Sequence, residues 1–165
     1  MDWVEPANLE LVDVARAELW GGLRHDLHRR IRELSRSRSE RLAISIWKPA
    51  RNLVVAALAG EMDMANASEL ERTLDGAGAL GPFRLIIDLS ELTFIDSTGI
   101  KALAWVANQV QERGETMLLA SPTAEVARIL EIVSLNESIV IAGSLEAALR
   151  CCASNTGAPR HARAL

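Results

Sequence analysis

The sequence predicts an α/β fold in which helices pack on a mixed β-sheet. From about residue 42 onward, short apolar runs rich in β-branched residues alternate with segments whose apolar residues recur every three or four positions. Strands separated by single helices pair in parallel through right-handed crossovers, whereas a short turn separates the first two strands. The 165 residues, 49% of them hydrophobic, suit one soluble domain with a modest extension.

Five strands are predicted, each a run of apolar residues bounded by Pro, Gly or polar residues. They are expected at residues 41–47, 52–60, 85–89, 116–121 and 138–143. The turn between the first two is the sequence "KPAR" at residues 48–51. The run "TMLLAS" is apolar enough to predict a buried strand.

Four helices are predicted between and after these strands. Asn66 is expected to cap the first, with Glu69 as its reciprocal partner and Gly76 as its stop. The third and fourth start at Pro122 and after Ser144. In the second, one apolar face runs up to a stop at Gly114 and consists of Ile100, Leu103, Ala107 and Val110.

Residues 1–40 differ in character and are predicted to form an amphipathic helical extension and a linker. Its apolar stripe consists of Leu19, Leu23, Leu27, Ile31 and Leu34. Seven arginines lie between Arg24 and Arg41. Such a helix packs on its own domain or on a second copy to give a homodimer, or it is a regulatory arm that covers a docking surface. The domain itself is expected over residues 41–152, followed by a flexible tail at 153–165.

Composition argues against several classes of protein. A net charge of −4 and a pI near 5.4 do not suit a direct nucleic-acid binder. The longest apolar stretch, residues 53–60, is too short to span a bilayer, and the acidic start does not suit a signal peptide. Cys151 and Cys152 are adjacent, a spacing that strains a disulfide, so we expect a cytoplasmic protein without a redox role for them.

The segment "FIDSTG" at residues 94–99 places an acid and two hydroxyls where a strand gives way to a helix. Asp96 or Ser97 can accept hydrogen bonds from the free N–H groups of the first helical turn. Those groups and the helix dipole also accommodate a phosphate, so a serine here is a potential switch. Stepping along the helix from Ser97 leads to Lys101, Trp105 and Asn108 on one face, a pattern that favours protein docking unless the N-terminal helix covers Trp105.

An enzyme is the less favoured interpretation. Ser97 would need a base, yet the three histidines lie outside the α/β segment and the motif is not G-x-S-x-G. No phosphate-binding loop, dinucleotide fingerprint or zinc-ligand spacing is present, so no catalytic residue, cofactor or metal is predicted. A metal-dependent hydrolase would have to gather Asp63, Asp88 and Asp96, which we expect instead to cluster at the C-terminal rim of the sheet.

Two segments carry a family resemblance. "LIIDLSELTFIDSTGIKAL" (85–103) resembles the signature of STAS-domain anti-sigma factor antagonists, and "LAGEMDMANASEL" (58–70) resembles a segment that these proteins carry upstream. The resemblance covers about residues 42–150 and implies a STAS-like mixed sheet. It also implies partner switching in transcription and stress response, in which the unphosphorylated protein binds an anti-sigma factor that is itself a serine kinase of the GHKL type. A sigma factor is thereby released.

The resemblance also implies roles for individual residues. The kinase would phosphorylate Ser97, or alternatively Thr98, and a PPM-type phosphatase would reverse this. Asp63 and Asp96 map to acids that dock or orient the kinase. The expected partner-binding residues are Asp63, Asp96, Ser97, Thr98, Gly99, Lys101 and Trp105. The alternative is a structural STAS module in a large signalling assembly or a lipid-transport complex, in which Ser97 only caps its helix.

Overall fold

Five strands form one sheet in the spatial order β1-β2-β3-β4-β5 in the computed structural model, which describes residue 29 and residues 42–50, 52–76, 84–135 and 139–154. The strands are β1 (Ala43–Ala50), β2 (Leu53–Met62), β3 (Arg84–Ile95), β4 (Met117–Ala120) and β5 (Val140–Ala142). The helices are α1 (Ser68–Gly76), α2 (Ser97–Glu112), α3 (Ala124–Ile132) and α4 (Leu145–Ser154). Because β1 is antiparallel to β2 and the other neighbours are parallel, the predicted mixed α/β sheet is confirmed.

Helices cover both faces of this sheet. The face that we call inner carries α1, α2 and α3, whose buried side chains, among them Leu70, Leu103 and Leu130, share one core with Leu58 and Ile87 of the central strands. The outer face carries α4, which packs over a second cluster on β2 to β5. Central strands buried on both faces need continuous apolar runs, which is why "LVVAALAG" and "MLLA" read as strands without alternation.

Two strands are longer than their sequence predicts. β1 continues through Pro49 to Ala50 with a register shift after Trp47, where a turn was expected. Proline is tolerated there because β1 is an edge strand and its missing N–H breaks no central ladder. β3 runs seven residues beyond Asp88 to Ile95, pairing with β2 through two register shifts. The predicted strand end at Leu89 is therefore wrong.

The ends of the chain are described only in part. Apart from Arg29, the predicted extension lies outside the described residues, as do residues 155–165. At the other boundary α4 continues to Ser154, so the first two residues of the predicted tail are helical. No helix in the described ranges has the length and apolar character needed to cross a membrane.

Candidate functional site

Asp96 is the single residue between the end of β3 and the start of α2. Its backbone is extended, and its Oδ1 accepts hydrogen bonds from the N–H groups of Thr98 (2.8 Å) and Gly99 (3.0 Å). These bonds satisfy two of the donors that the first turn of a helix leaves free. From the sequence, either Asp96 or Ser97 could cap this helix. In the structure the cap is Asp96.

The other carboxylate oxygen of Asp96 ties α2 to the loop that follows β2. Oδ2 accepts a hydrogen bond from the N–H of Met64 at 3.1 Å, and the Asp96 N–H donates to the Met62 carbonyl at 3.1 Å. Met62 and Ile95 are register partners at the ends of two parallel strands. The motif that contains Asp63 and the motif that contains Ser97 therefore meet at one edge of the sheet.

The loop after β2 is shaped by its own polar side chains. Asp63 Oδ1 accepts from the Ala65 N–H at 2.8 Å. Asn66, which is buried, accepts from the Asp63 N–H at 3.0 Å and donates through Nδ2 to the Glu61 carbonyl at 2.9 Å. The prediction that Asn66 caps α1 is wrong, because these bonds turn its side chain back toward the strand and α1 begins only at Ser68.

Gly99 lies beneath the surface of this site. A Cβ atom at this position would stand 2.7 Å from Ile95 Cγ1, 3.0 Å from Met62 Cγ and 3.2 Å from the Met62 carbonyl oxygen. The first turn of α2 thus approaches the strand ends more closely than any residue with a side chain would permit. Gly99 was predicted to contact a partner, but it is buried and has no side chain, so the structure shows only that it sets the position of its neighbours.

Ser97 is the first residue of α2 and is exposed. Its hydroxyl makes no hydrogen bond with any residue that the structure describes. Thr98 is half-buried beside it. The serine is thus available at the surface while Asp96 performs the structural task at this helix end.

The predicted stripe along α2 is confirmed as a solvent-facing stripe. Lys101 and Asn108 are exposed and Trp105 is 40% exposed, whereas Leu103 and Val110 on the opposite side are buried in the core. The alternative in which the N-terminal helix covers Trp105 concerns residues that lie outside the described ranges. A tryptophan left this open is typical of a protein contact site.

Two further exposed apolar side chains stand at the strand ends next to α2, and the sequence reasoning singled out neither. Met64 is 81% exposed next to its hydrogen bond with Asp96, and Phe94 is 40% exposed three residues before Ser97. We call Met64, Phe94, Ser97, Lys101 and Trp105 the α2 surface. Phe94 stands inside the "FIDSTG" motif, but the motif does not show that it is exposed. Its exposure depends on how the end of β3 pairs with β2, where Phe94 lies opposite Glu61.

Asp88 does not belong to this site. It pairs with Ala57 and Ala120 in the sheet, is fully buried, and accepts the Ser90 N–H on Oδ1 at 3.0 Å. The predicted rim cluster is therefore wrong for Asp88, because β3 continues well past Asp88 before it reaches the rim, whereas Asp63 and Asp96 lie at the same edge of the sheet. Among the described residues, no three His, Cys, Asp or Glu side chains are placed to hold a metal ion together.

Comparison with known proteins identifies the family to which this chain is similar. The STAS domain family matches residues 48–148. BtrV of Bordetella bronchiseptica, named as an anti-sigma factor antagonist, is 31% identical over 108 residues, which are 66% of this chain and 91% of BtrV. The crystal structure of an anti-sigma factor antagonist from Mycobacterium paratuberculosis is 26% identical with a TM-score of 0.57, covering 68% of this chain and 94% of that one.

The antagonist SpoIIAA shares the fold at lower identity. Its unphosphorylated form is 20% identical with a TM-score of 0.59, covering 70% of this chain and 100% of SpoIIAA. The phosphorylated form from Bacillus is 21% identical with a TM-score of 0.53, covering 66% of this chain and 99% of that one. With a family match over most of the described domain and a relative covered almost end to end, this chain belongs to the STAS domain family, among the anti-sigma factor antagonists.

Proposed function

We propose that this protein binds an anti-sigma factor in the cytoplasm and thereby frees a sigma factor for RNA polymerase. The names of BtrV and of the Mycobacterium paratuberculosis protein support this function. The observation that carries it is the exposed Ser97 hydroxyl, set at the start of α2 within a surface of exposed Met64, Phe94 and Trp105. The partner is a serine kinase of the GHKL type that binds the unphosphorylated form at the α2 surface.

Phosphorylation of Ser97 is the proposed switch. SpoIIAA, which has this fold, is known in an unphosphorylated and a phosphorylated form. At Ser97 a phosphate adds a charge of about −1.5 to −2 at pH 7. The N–H groups of Thr98 and Gly99 already donate to Asp96, so the phosphate does not enter the helix cap as the sequence suggested. It projects from the surface beside the Asp96 carboxylate.

A projecting dianion changes what a partner meets. In the unphosphorylated form the partner covers a neutral hydroxyl between apolar side chains and the cation of Lys101. In the phosphorylated form it must desolvate a dianion or face it with like charge, which costs several kcal/mol. About 2.7 kcal/mol is a hundredfold in affinity, so we expect release of the kinase at ordinary cellular concentrations. A PPM-type phosphatase then restores binding.

Exposure favours Ser97 over Thr98 as the acceptor. Ser97 is exposed, whereas Thr98 is half-buried and its N–H is held by Asp96. A kinase must bring the acceptor oxygen in line with the γ-phosphate of ATP, which requires an accessible hydroxyl. In this proposal Asp96 and Asp63, which lie at the same edge of the sheet as Ser97, orient the kinase.

The test combines intact-mass spectrometry with affinity measurement. The protein is incubated with an anti-sigma kinase and Mg-ATP, and Ser97→Ala and Thr98→Ala are treated in the same way. One phosphate, lost only in Ser97→Ala, is expected. Calorimetry should show that Ser97→Asp binds the kinase about a hundredfold more weakly than Ser97→Ala.

Ser68 supplies a matched control for the charge change. It is also exposed and also the first residue of a helix, α1, so Ser68→Asp adds the same charge at an equivalent helical position. Its affinity for the kinase should remain within a few fold of the wild type. Equal affinities of Ser97→Asp and Ser97→Ala would refute the switch. A kinase that binds the domain yet transfers no phosphate would favour the structural-module alternative.

A further inference from the structure

The outer face of the sheet has a second apolar area beside the cluster under α4, and Trp47 packs against both. β1 and β2 are paired so that Ala43 lies opposite Ala59, and the strand alternation puts Ala57 and Trp47 on the same face. We call Ala43, Trp47, Ala57 and Ala59 the alanine patch. The cluster under α4 extends from β2 to β5 and includes neither Ala57 nor Ala59.

The two central alanines of this patch are buried although they are not part of the cluster under α4. Ala57 is 1% exposed and Ala59 is 3% exposed, while their apolar neighbours Ala43 and Trp47 are only partly buried. Small side chains on a sheet leave a shallow depression into which larger side chains of a helix can pack. The burial and the small size of these residues indicate that a further element covers the patch.

Acidic residues border the patch on the side of β3. Asp88 pairs with Ala57 and is fully buried, and Glu91 pairs with Ala59 and is half-buried. Buried carboxylates in proteins are held by hydrogen-bond donors or cations, because desolvation of the charge is otherwise costly. An element that covers this patch is therefore expected to be apolar at its centre and cationic at its margin.

The N-terminal extension has this composition. Its stripe of Leu19, Leu23, Leu27, Ile31 and Leu34 supplies the apolar centre. On a helical wheel Arg24 lies at one edge of that stripe, and Arg30 lies among its apolar residues near the other edge. The segment also reaches the patch without a long connection. It leads into Leu42, which is buried, and then into Ala43, the partner of Ala59.

We propose that residues 19–34 form a helix that packs its apolar stripe on the alanine patch of the same chain, with Arg24 and Arg30 beside Asp88 and Glu91. A 16-residue helix is about 24 Å long, enough to cross the sheet, whose strands are about 4.8 Å apart. The eight residues from 35 to 42 span up to roughly 28 Å and allow the chain to turn back. The extension then leaves the α2 surface open, so it is not an arm that covers Trp105.

This arrangement goes beyond the proposed function and does not depend on Ser97. Its test uses limited trypsin digestion of the full chain, because the extension is rich in arginine and a packed helix resists cleavage. Leu27→Ser with Ile31→Ser removes part of the stripe, and His25→Ser with His28→Ser is the matched control off the stripe. Both double variants keep every cleavage site.

The stripe variant is expected to be cut after Arg24 to Arg32 about tenfold faster or more, and the control at the rate of the wild type. The free energy gained by burying one leucine-sized side chain is already larger than the free energy that corresponds to a tenfold change in an equilibrium constant. When the helix opens and closes faster than trypsin cuts, the cleavage rate is proportional to the fraction of molecules with the helix open. Glu91→Lys should accelerate the same cleavage, since it places a cation against the arginines. Circular dichroism checks that the sheet stays folded.

Trp47 gives an independent readout at the patch itself. In a background with Trp3→Phe, Trp20→Phe and Trp105→Phe, the stripe variant should shift the Trp47 emission to longer wavelength and increase its quenching by acrylamide. Equal cleavage rates for the two double variants, or an unchanged Trp47 signal, would overturn the proposal. The proposal would also be overturned if light scattering showed a dimer and the extension lost its protection from trypsin on dilution. The helix on the alanine patch would then come from a second copy of the chain.

Discussion

Replacing Gly99 with alanine should destabilise the protein at the site where α2 begins. The new Cβ would stand 2.7 Å from Ile95 Cγ1, closer than folded proteins tolerate, and 3.2 Å from the backbone oxygen of Met62. Met62 Cγ, at 3.0 Å, belongs to a flexible side chain, but Met62 and Ile95 are 0% and 2% exposed and have little room to move.

The sign of the effect follows from two opposing terms. Overpacking of a well-filled core costs about 1–3 kcal/mol. Alanine is preferred to glycine inside a helix by up to about 1 kcal/mol, and less near the first turn. We therefore expect Gly99→Ala to lower the free energy of unfolding by about 1–2 kcal/mol.

Urea denaturation followed by circular dichroism measures this difference, and Gly76→Ala is the matched control. Gly76 is also helical, and a Cβ there would meet nothing within 4 Å. Its replacement should leave the midpoint unchanged or raise stability by up to about 1 kcal/mol. If Gly99→Ala were as stable as Gly76→Ala, the close approach of α2 to the strand ends would not limit this position.

Three further outcomes are expected. Asp96→Ala removes the acceptor of two helix N–H groups and of the Met64 N–H, so it should lower the free energy of unfolding in urea by about 2 kcal/mol. A decrease of less than a few tenths of a kcal/mol would contradict the role of Asp96 as the cap. Burial raises the pKa of Cys152 from 9.0 to about 11, so iodoacetamide at pH 8 should label the exposed Cys151 first. The free energy of unfolding should fall as the pH rises from about 9 to 11, because in that range the Cys152 thiol ionises only in the unfolded chain. Equal labelling rates of the two cysteines would argue against this burial. Trp105→Ala should weaken binding of the anti-sigma factor by about thirtyfold or more with the melting temperature nearly unchanged, whereas unchanged affinity would place the interface elsewhere.

Local patterns predicted most of the secondary structure because they depend on neighbours in the chain. The alternation of apolar strands and amphipathic helices was sufficient to predict the mixed sheet, and helical spacing from Ser97 was sufficient to predict the exposed stripe through Lys101 and Trp105. The family followed from two short motifs for the same reason, since both are continuous in the sequence.

Other features depend on pairs that are distant in the chain. Asp96 becomes the cap and a link to Met64 through a contact across 32 residues, while Asn66 turns away from the helix it was expected to cap. The length of β3, and with it the separation of Asp88 from Asp96, depends on how many residues β2 offers for pairing. Sequence alone determined which residues are polar, apolar or small and at what period. Only the tertiary structure decided which of them meet, because hydrogen bonds and close packing act between neighbours in space.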